Sequence, residues 1–319
     1  MPFLIVLVFL CASVTSSAAD GPPDWAYGTT PQTGPARPAK APDNSLKHLA
    51  GSTAAFTTAQ IYDRFGPADW LPGDHPAMPD VVARGRKPEI WACALCHYPN
   101  GKGRPENAGV SGLPVSYFIE QMHEFRDGLR SSADLRKKNT NVMIAIAKAM
   151  TEDEIKASAE YFGSMKWTPW IKVVETDTVP KTYTNVGMFL PLEGNEKEPL
   201  GHRIIETPVD VEASEGLRDP RSGFVAYAPM GSIGKGEALA TRGNGKTLAC
   251  GACHGSDLKG LGPVPGLAGR SPSYLVRQMY DMQQGTRHGS WTELMKTVVS
   301  GLSQEDMLDI AAYTSSRTP

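Results

Sequence analysis

Four cysteines and two histidines carry the most legible chemistry in the chain. Cys93-Ala94-Leu95-Cys96-His97 and Cys250-Gly251-Ala252-Cys253-His254 are two copies of C-x-x-C-H. On a helical turn this spacing sets two thiols side by side, where they can form thioethers with the vinyl groups of a porphyrin. The adjacent imidazole then falls under the iron. C-x-x-C-H is the attachment signature of c-type haem. Other uses of paired cysteines fit less well. Structural zinc takes pairs about 15–20 residues apart, whereas 153 residues lie between Cys96 and Cys250. A redox dithiol needs a βαβ setting, which neither copy shows. Inert disulfides of an exported protein would leave both histidines without a purpose.

The two motifs belong to an internal repeat. A shift of 157 residues superposes Cys93, Cys96 and His97 on Cys250, Cys253 and His254, and also Tyr117, Gln121, Met122, Gly128 and Arg130 on Tyr274, Gln278, Met279, Gly285 and Arg287. A shift of 152 then aligns Met143, Thr151 and Tyr161 with Met295, Ser303 and Tyr313. The change of register falls in the polar stretch 131–140, where a loop absorbs it. Each unit reads as short helices. Residues 117–122 and 274–279 have apolar groups at helical spacing and run to a glycine. The last helices open with capping boxes, Thr151-x-x-Glu154 and Ser303-x-x-Asp306. Ile155, Ala159 and Phe162, and likewise Met307, Ala311 and Thr314, then mark one inward face.

A second axial ligand must come from later in each unit. Met143 and Met295 each stand eight residues before the capping Thr151 and Ser303, and no other methionine pair there matches so closely. A thioether ligand opposite histidine raises the reduction potential. Methionine is more often a core filler than a ligand, so the rivals are explicit: Met150 aligns with Leu302 and reads as core, while Met122 and Met279 read as packing on the porphyrin edge. His123 and His288 are alternative ligands, but they align with Tyr280 and Ser131. With His48, His75 and His202 they are expected to be surface or structural.

The rest of the chain is not repeated. Residues 1–19 read as a secretory signal, apolar through Val14 and ending on Ser17-Ala18-Ala19. This apolar run is shorter than the roughly 20 residues a membrane span takes. An uncleaved anchor is the lesser reading. Removal of the signal takes Cys11 with it and leaves the four motif cysteines. Residues 20–60, rich in Pro, Gly, Ala and Thr, read as a mobile or surface-wrapping arm. The first haem domain is expected over 61–163, with Phe65 and Trp70 packing on it from an irregular lead-in, and the second over 230–319. Between them 164–229 forms a bridge with strand-like stretches at 167–174 and 202–207, so that either an irregular linker or a small β-rich module fits. Lys+Arg of 32 against Asp+Glu of 34 gives no case for nucleic-acid binding. The basic run Arg136-Lys137-Lys138 reads as a solvated loop.

The units resemble class I cytochrome c domains, and the pair resembles di-haem cytochromes of the cytochrome c4 type. The residues that carry the likeness best lie in the second unit: Gly260-Leu261-Gly262-Pro263-Val264-Pro265-Gly266-Leu267-Ala268-Gly269-Arg270, then Tyr274 and Gln278, Met295, Leu302-Ser303 and Ala311-Ala312-Tyr313. The resemblance implies a mainly α fold of two helical domains, with two haem c groups on Cys93, Cys96, Cys250 and Cys253. It further implies His97 with Met143 and His254 with Met295 as axial pairs, and a Pro265 carbonyl accepting from His254 Nδ1. The first unit departs here, with Ala108 opposite Pro265, which leaves the orientation of His97 open. Arm and bridge fall outside the resemblance, so face-to-face packing of the domains does not follow from it. The implied role is a periplasmic carrier of single electrons rather than an enzyme. Its donor would be a quinol-oxidising complex or a dehydrogenase, its acceptor a terminal oxidase, and the membrane would be met only through such partners. The rival roles are a di-haem peroxidase-like or other oxidoreductase, which needs an open iron position, and a cytochrome subunit of a dehydrogenase or oxidase complex.

Overall fold

The computed structural model describes residues 21–30 and 43–319. The expected signal segment 1–19, and 31–42 of the arm, lie outside the described residues. Helices dominate both repeats. The first holds Cys93–His97, Val115–Arg126, Lys138–Ala149 and Glu152–Gly163. The second holds Ser232–Arg242, Gly251–His254, Pro272–Gln283, Thr292–Val299 and Gln304–Ser316.

Local sequence fixes these elements. Thr151 accepts from Glu154 N at 3.2 Å while the Glu154 carboxylate accepts from Thr151 N at 2.8 Å, and Ser303 and Asp306 repeat the exchange. Each pair satisfies helix-end amides that would otherwise lack partners. Gly128 and Gly285, at φ of 77° and 74°, close the helices Val115–Arg126 and Pro272–Gln283 in the left-handed region, the usual place for glycine past a helix end. The faces marked in the sequence point inward: Ile155, Ala159 and Phe162 are buried in the first core, and Met307 and Ala311 in the second.

The bridge contains strands. Phe224–Ala228 lies between Ile171–Glu175, its parallel neighbour, and Ile205–Pro208, its antiparallel one. Its side chains alternate, with Phe224, Ala226 and Ala228 buried, as expected for a strand with one covered face. Ala226 and Ala228 meet Leu308 and Ala312, so this small sheet is fastened to the last helix of the second unit. A separate hairpin pairs Thr182–Asn185 with Met188–Pro191. Its turn, Val186-Gly187, has φ of 50° and 87°, the left-handed pair that suits a two-residue turn.

The arm is not simply a surface wrap. Residues Asp24–Tyr27 form a helical turn with Ala26 and Tyr27 in the second unit's core, and Tyr27 OH donates to Asp281 Oδ1 at 2.6 Å. Composition averaged over 20–60 hid Trp25-Ala26-Tyr27, three groups large or apolar enough to be worth burying. Trp70 also differs from expectation. It packs with Leu49, Ile61 and Leu71, and its Nε1 donates to the bridge carbonyl of Leu217 at 2.7 Å.

The helices Ser232–Arg242 and Gln304–Ser316 are tightly packed at Gly236. A Cβ there would lie 1.9 Å from Asp309 O and 2.9 Å from Tyr313 Cβ. Propensity favours alanine over glycine in mid-helix by about 0.5–1 kcal/mol. Here the steric term opposes it, and overpacking costs roughly 1–3 kcal/mol. Gly236→Ala is therefore expected to lower the urea midpoint of the holoprotein; a raised midpoint would show that the crossing is looser than the structure has it.

Candidate functional site

The two C-x-x-C-H segments fold alike. In each, the histidine is buried and its Nδ1 meets a backbone oxygen 11 residues downstream: Ala108 O at 2.8 Å for His97 and Pro265 O at 2.7 Å for His254. A carbonyl only accepts, so Nδ1 carries the hydrogen and Nε2 keeps its lone pair. Burial lowers the pKa of both imidazoles, which holds them neutral and fit to ligate a metal. The first unit achieves this without a proline, because the bond uses only the main chain of Ala108.

Beside His97 lies a cavity of about 670 Å³, lined among others by Cys93, Cys96, Met143, Phe118 and Phe162. Cofactor pockets typically span about 300–1,000 Å³. None of the four motif cysteines is paired in a disulfide, and burial pushes the Cys93 thiol up to about 11. Two thiols, an imidazole with a free lone pair, a thioether and aromatic walls are the donor set that an iron porphyrin requires. These residues fit the group. In the second unit Met295 is half-buried against the core that contains Val276 and Met307, and Cys253 is exposed.

The bridge closes over the thiol side of the first site. Arg218 Nη2 donates to Leu95 O inside the motif, and its guanidinium lies 5.0 Å from the Tyr62 ring and 5.2 Å from the Tyr98 ring. Tyr62 OH donates to Glu215 Oε1 at 2.9 Å, and Asn100 Nδ2 to Pro220 O at 2.6 Å.

The units meet through residues that the repeat had already paired. Arg130 donates to Gln121 Oε1 at 2.8 Å and to Gln278 Oε1 at 2.8 Å; Arg287 donates to Gln278 Oε1 at 3.0 Å, Gln121 Oε1 at 2.7 Å and Tyr117 OH at 2.9 Å. Arg130 and Arg287 also form an antiparallel backbone bridge. Two further arginines of the second unit reach across, Arg270 to Gly109 O at 2.8 Å and Arg277 to Pro105 O at 2.8 Å. The two halves are thus in direct contact, which the resemblance alone had left undecided.

No family model matches the chain. It is 38% identical over 228 residues to the cytochrome c-552 of Acidithiobacillus ferridurans, covering 70% of this chain and 73% of the relative. Over 87 residues, 25% of this chain and 41% of the relative, it is 38% identical to the cytochrome c4 of Azotobacter vinelandii. The thiosulfate dehydrogenase electron acceptor of Thiomonas intermedia is 25% identical over 237 residues, 72% of this chain and 80% of that one. This chain belongs to the di-haem cytochromes of the cytochrome c4 type.

In this cytochrome the alternative ligands are placed elsewhere. His123 Nε2 meets Glu152 Oε2 at 2.8 Å on the surface, His288 is exposed, and neither lines the cavity. His75 is held by Asp69 and Tyr161. Met122 and Met150 line the cavity along with Met143, so proximity alone does not single out one thioether. The basic run is not a solvated loop throughout: Lys137 is buried and lines the cavity. Sequence patterns also gave no sign that Arg218 would reach the first motif, since the contact spans 123 positions.

Gln121 serves both arginines at the seam between the units. Removing its carbonyl leaves two charged donors short of an acceptor, and a hydrogen bond to a charged group is worth about 1.5–3 kcal/mol. Gln121→Leu is expected to destabilise the holoprotein by roughly 3 kcal/mol or more in urea. Equal stability of variant and parent would deny the cluster a part in joining the halves.

Proposed function

We propose that this di-haem electron-transfer cytochrome works in the periplasm as a soluble carrier, with His97 and Met143 holding one iron and His254 and Met295 the other. The observation that carries the reading is the repeated imidazole with its Nδ1 committed to a carbonyl and its Nε2 free, beside two thiols. Iron porphyrin, when bound, supplies a one-electron couple. Cys93, Cys96, Cys250 and Cys253 tether it covalently, so that it is retained in two small cores. His97 and His254 are kept neutral by burial and fixed in direction by their carbonyl partners, a contact that also strengthens the imidazole as a donor. Met143 and Met295, on the helices Lys138–Ala149 and Thr292–Val299, supply soft sulfur that favours the ferrous state. Phe118 and Phe162 stack at 6.1 Å between ring centres and give the first site an apolar wall. Among the described residues no helix is long and apolar enough to cross a membrane.

As partners we infer a periplasmic dehydrogenase or a quinol-oxidising complex on the donor side and a terminal oxidase on the acceptor side. Similarity to a thiosulfate dehydrogenase electron acceptor along 72% of the chain favours a thiosulfate-oxidising enzyme among the donors, and leaves room for a stable complex with it.

Met143→Ala and Met295→Ala test the ligand assignment. Each variant is expected to lower the midpoint potential of one haem and to open that haem alone to added imidazole or carbon monoxide, as read by redox titration and difference spectra. Unchanged potentials and no ligand uptake would move the role to another methionine, Met122 or Met150 in the first unit and Met279 in the second.

A further inference from the structure

Lys137 is only 4% exposed, and its Nζ has no hydrogen-bond partner among the described residues. Such a group costs free energy unless something answers it. The carboxylates nearest it in charge are Glu106, Asp134 and Asp281, with Arg277 adding repulsion. Asp134 and Asp281 are engaged elsewhere, whereas Glu106 gives one oxygen to Arg104 and keeps Oε2 without a hydrogen-bond partner among the described residues. Glu106 Oε1 accepts from Arg104 Nε at 2.7 Å. Asp134 accepts from Arg136 Nε at 2.9 Å and Thr29 Oγ1 at 2.7 Å. Asp281 accepts from Tyr27 OH at 2.6 Å and Ala133 N at 2.8 Å. Arg277 is spent on the carbonyls of Ala26 and Pro105, at 2.6 Å and 2.8 Å.

Lys137 is also the N-cap of the helix Lys138–Ala149, which has no side-chain cap. The opening turn of this helix, Lys138, Asn139 and Thr140, lines the same cavity as Lys137. Uncapped amides at a helix start attract anions, and a buried ammonium beside them makes the preference stronger. The bridge hairpin lies against Lys137. A Cβ on Gly187, in the hairpin turn, would stand 3.1 Å from Lys137 Nζ and 3.5 Å from Glu106 Cβ, and one on Gly28 would collide with Gly187 O.

The geometry points to a built anion site for a porphyrin propionate: Lys137 Nζ and the start of the helix Lys138–Ala149 receive a carboxylate of the haem tethered at Cys93 and Cys96. The assignment rests on haem attachment to the first motif. Tethering uses the vinyl side of the ring and leaves the propionates to be met by other groups. The cysteine Cys96 has Arg218, Glu106 and Arg104 as its charged neighbours, whereas Lys137 has Arg277, Asp134 and Asp281 besides Glu106. Burial, and after it the repulsion of Arg277, pushes the Lys137 ammonium down to about 7 despite the nearby Glu106, Asp134 and Asp281. The second unit has Trp291 at the corresponding helix start, so the site belongs to the first haem only.

The test is a redox titration of the holoprotein with resonance Raman spectra of the propionate bending bands. Lys137→Met is compared with Lys137→Arg and with Lys148→Met, which removes one exposed charge from the same helix. Loss of the cation stabilises the more positive ferric state, so one of the two midpoint potentials is expected to fall in Lys137→Met, with a shifted propionate band. Lys137→Arg should restore both, and Lys148→Met should move neither. Two potentials and bands equal to those of Lys148→Met would overturn the assignment. If Lys137→Met does not accumulate with two haems, Lys137→Gln takes its place. Loss of only the first haem there, with retention in Lys137→Arg, supports the site, and loss in Lys137→Arg as well overturns it. A parent protein lacking porphyrin would instead overturn the reading on which the site rests.

Discussion

One hydrogen bond to a main-chain carbonyl sets the direction of each motif imidazole. His97 and His254 are each tied by Nδ1 to a carbonyl 11 residues downstream. Everything else in a unit follows from having to keep this bond. The intervening loop must turn back on the motif helix, and burial must be deep enough to exclude water that would compete for the same hydrogen. The helices after the loop then cover the open side of the ring nitrogen that remains. A free Nε2 beside two thiols, set against a cavity in the first unit, suits a metal-bearing ring.

Duplication of this unit gives two such places, and the seam between them reuses the duplicated residues. Gln121 and Gln278, Arg130 and Arg287, and Tyr117 and Tyr274 face one another because equal surfaces brought together about a near two-fold relation are complementary to themselves. The arrangement puts two guanidinium groups among amide and phenol oxygens, and each guanidinium reaches more than one of them. The bridge and arm break the symmetry. The bridge sheet is fixed to the last helix of the second unit, its following segment covers the thiol side of the first, and Tyr27 from the arm is plugged beside Asp281. One site is thereby wrapped by unrepeated chain, while the other keeps an exposed cysteine at its motif.

What the sequence showed plainly was local. The motifs, the capping boxes at Thr151 and Ser303, the helix-closing glycines and the inward faces depend on residues within a few positions of one another, so spacing alone reveals them. The repeat also marked the seam residues as pairs, though not what they touch. Contacts between distant segments left no periodic trace: Arg218 on the first motif, Trp70 on Leu217, Tyr27 in the second core. Lys137 is the sharpest case. A run of three basic residues reads as solvent-facing by composition, yet the helix start it caps points into a cavity and the hairpin at Gly187 covers it. The departure at Ala108 left the orientation of His97 open in the sequence, and the structure closes it because a backbone acceptor is indifferent to the side chain that carries it.

The central claim is covalent, and mass decides it. Intact-mass measurement of the mature holoprotein, followed by peptide mapping, should find two porphyrins per chain, one on the peptide containing Cys93 and Cys96 and one on that containing Cys250 and Cys253. A colourless chain with four unmodified thiols, or with two disulfides, would contradict the account.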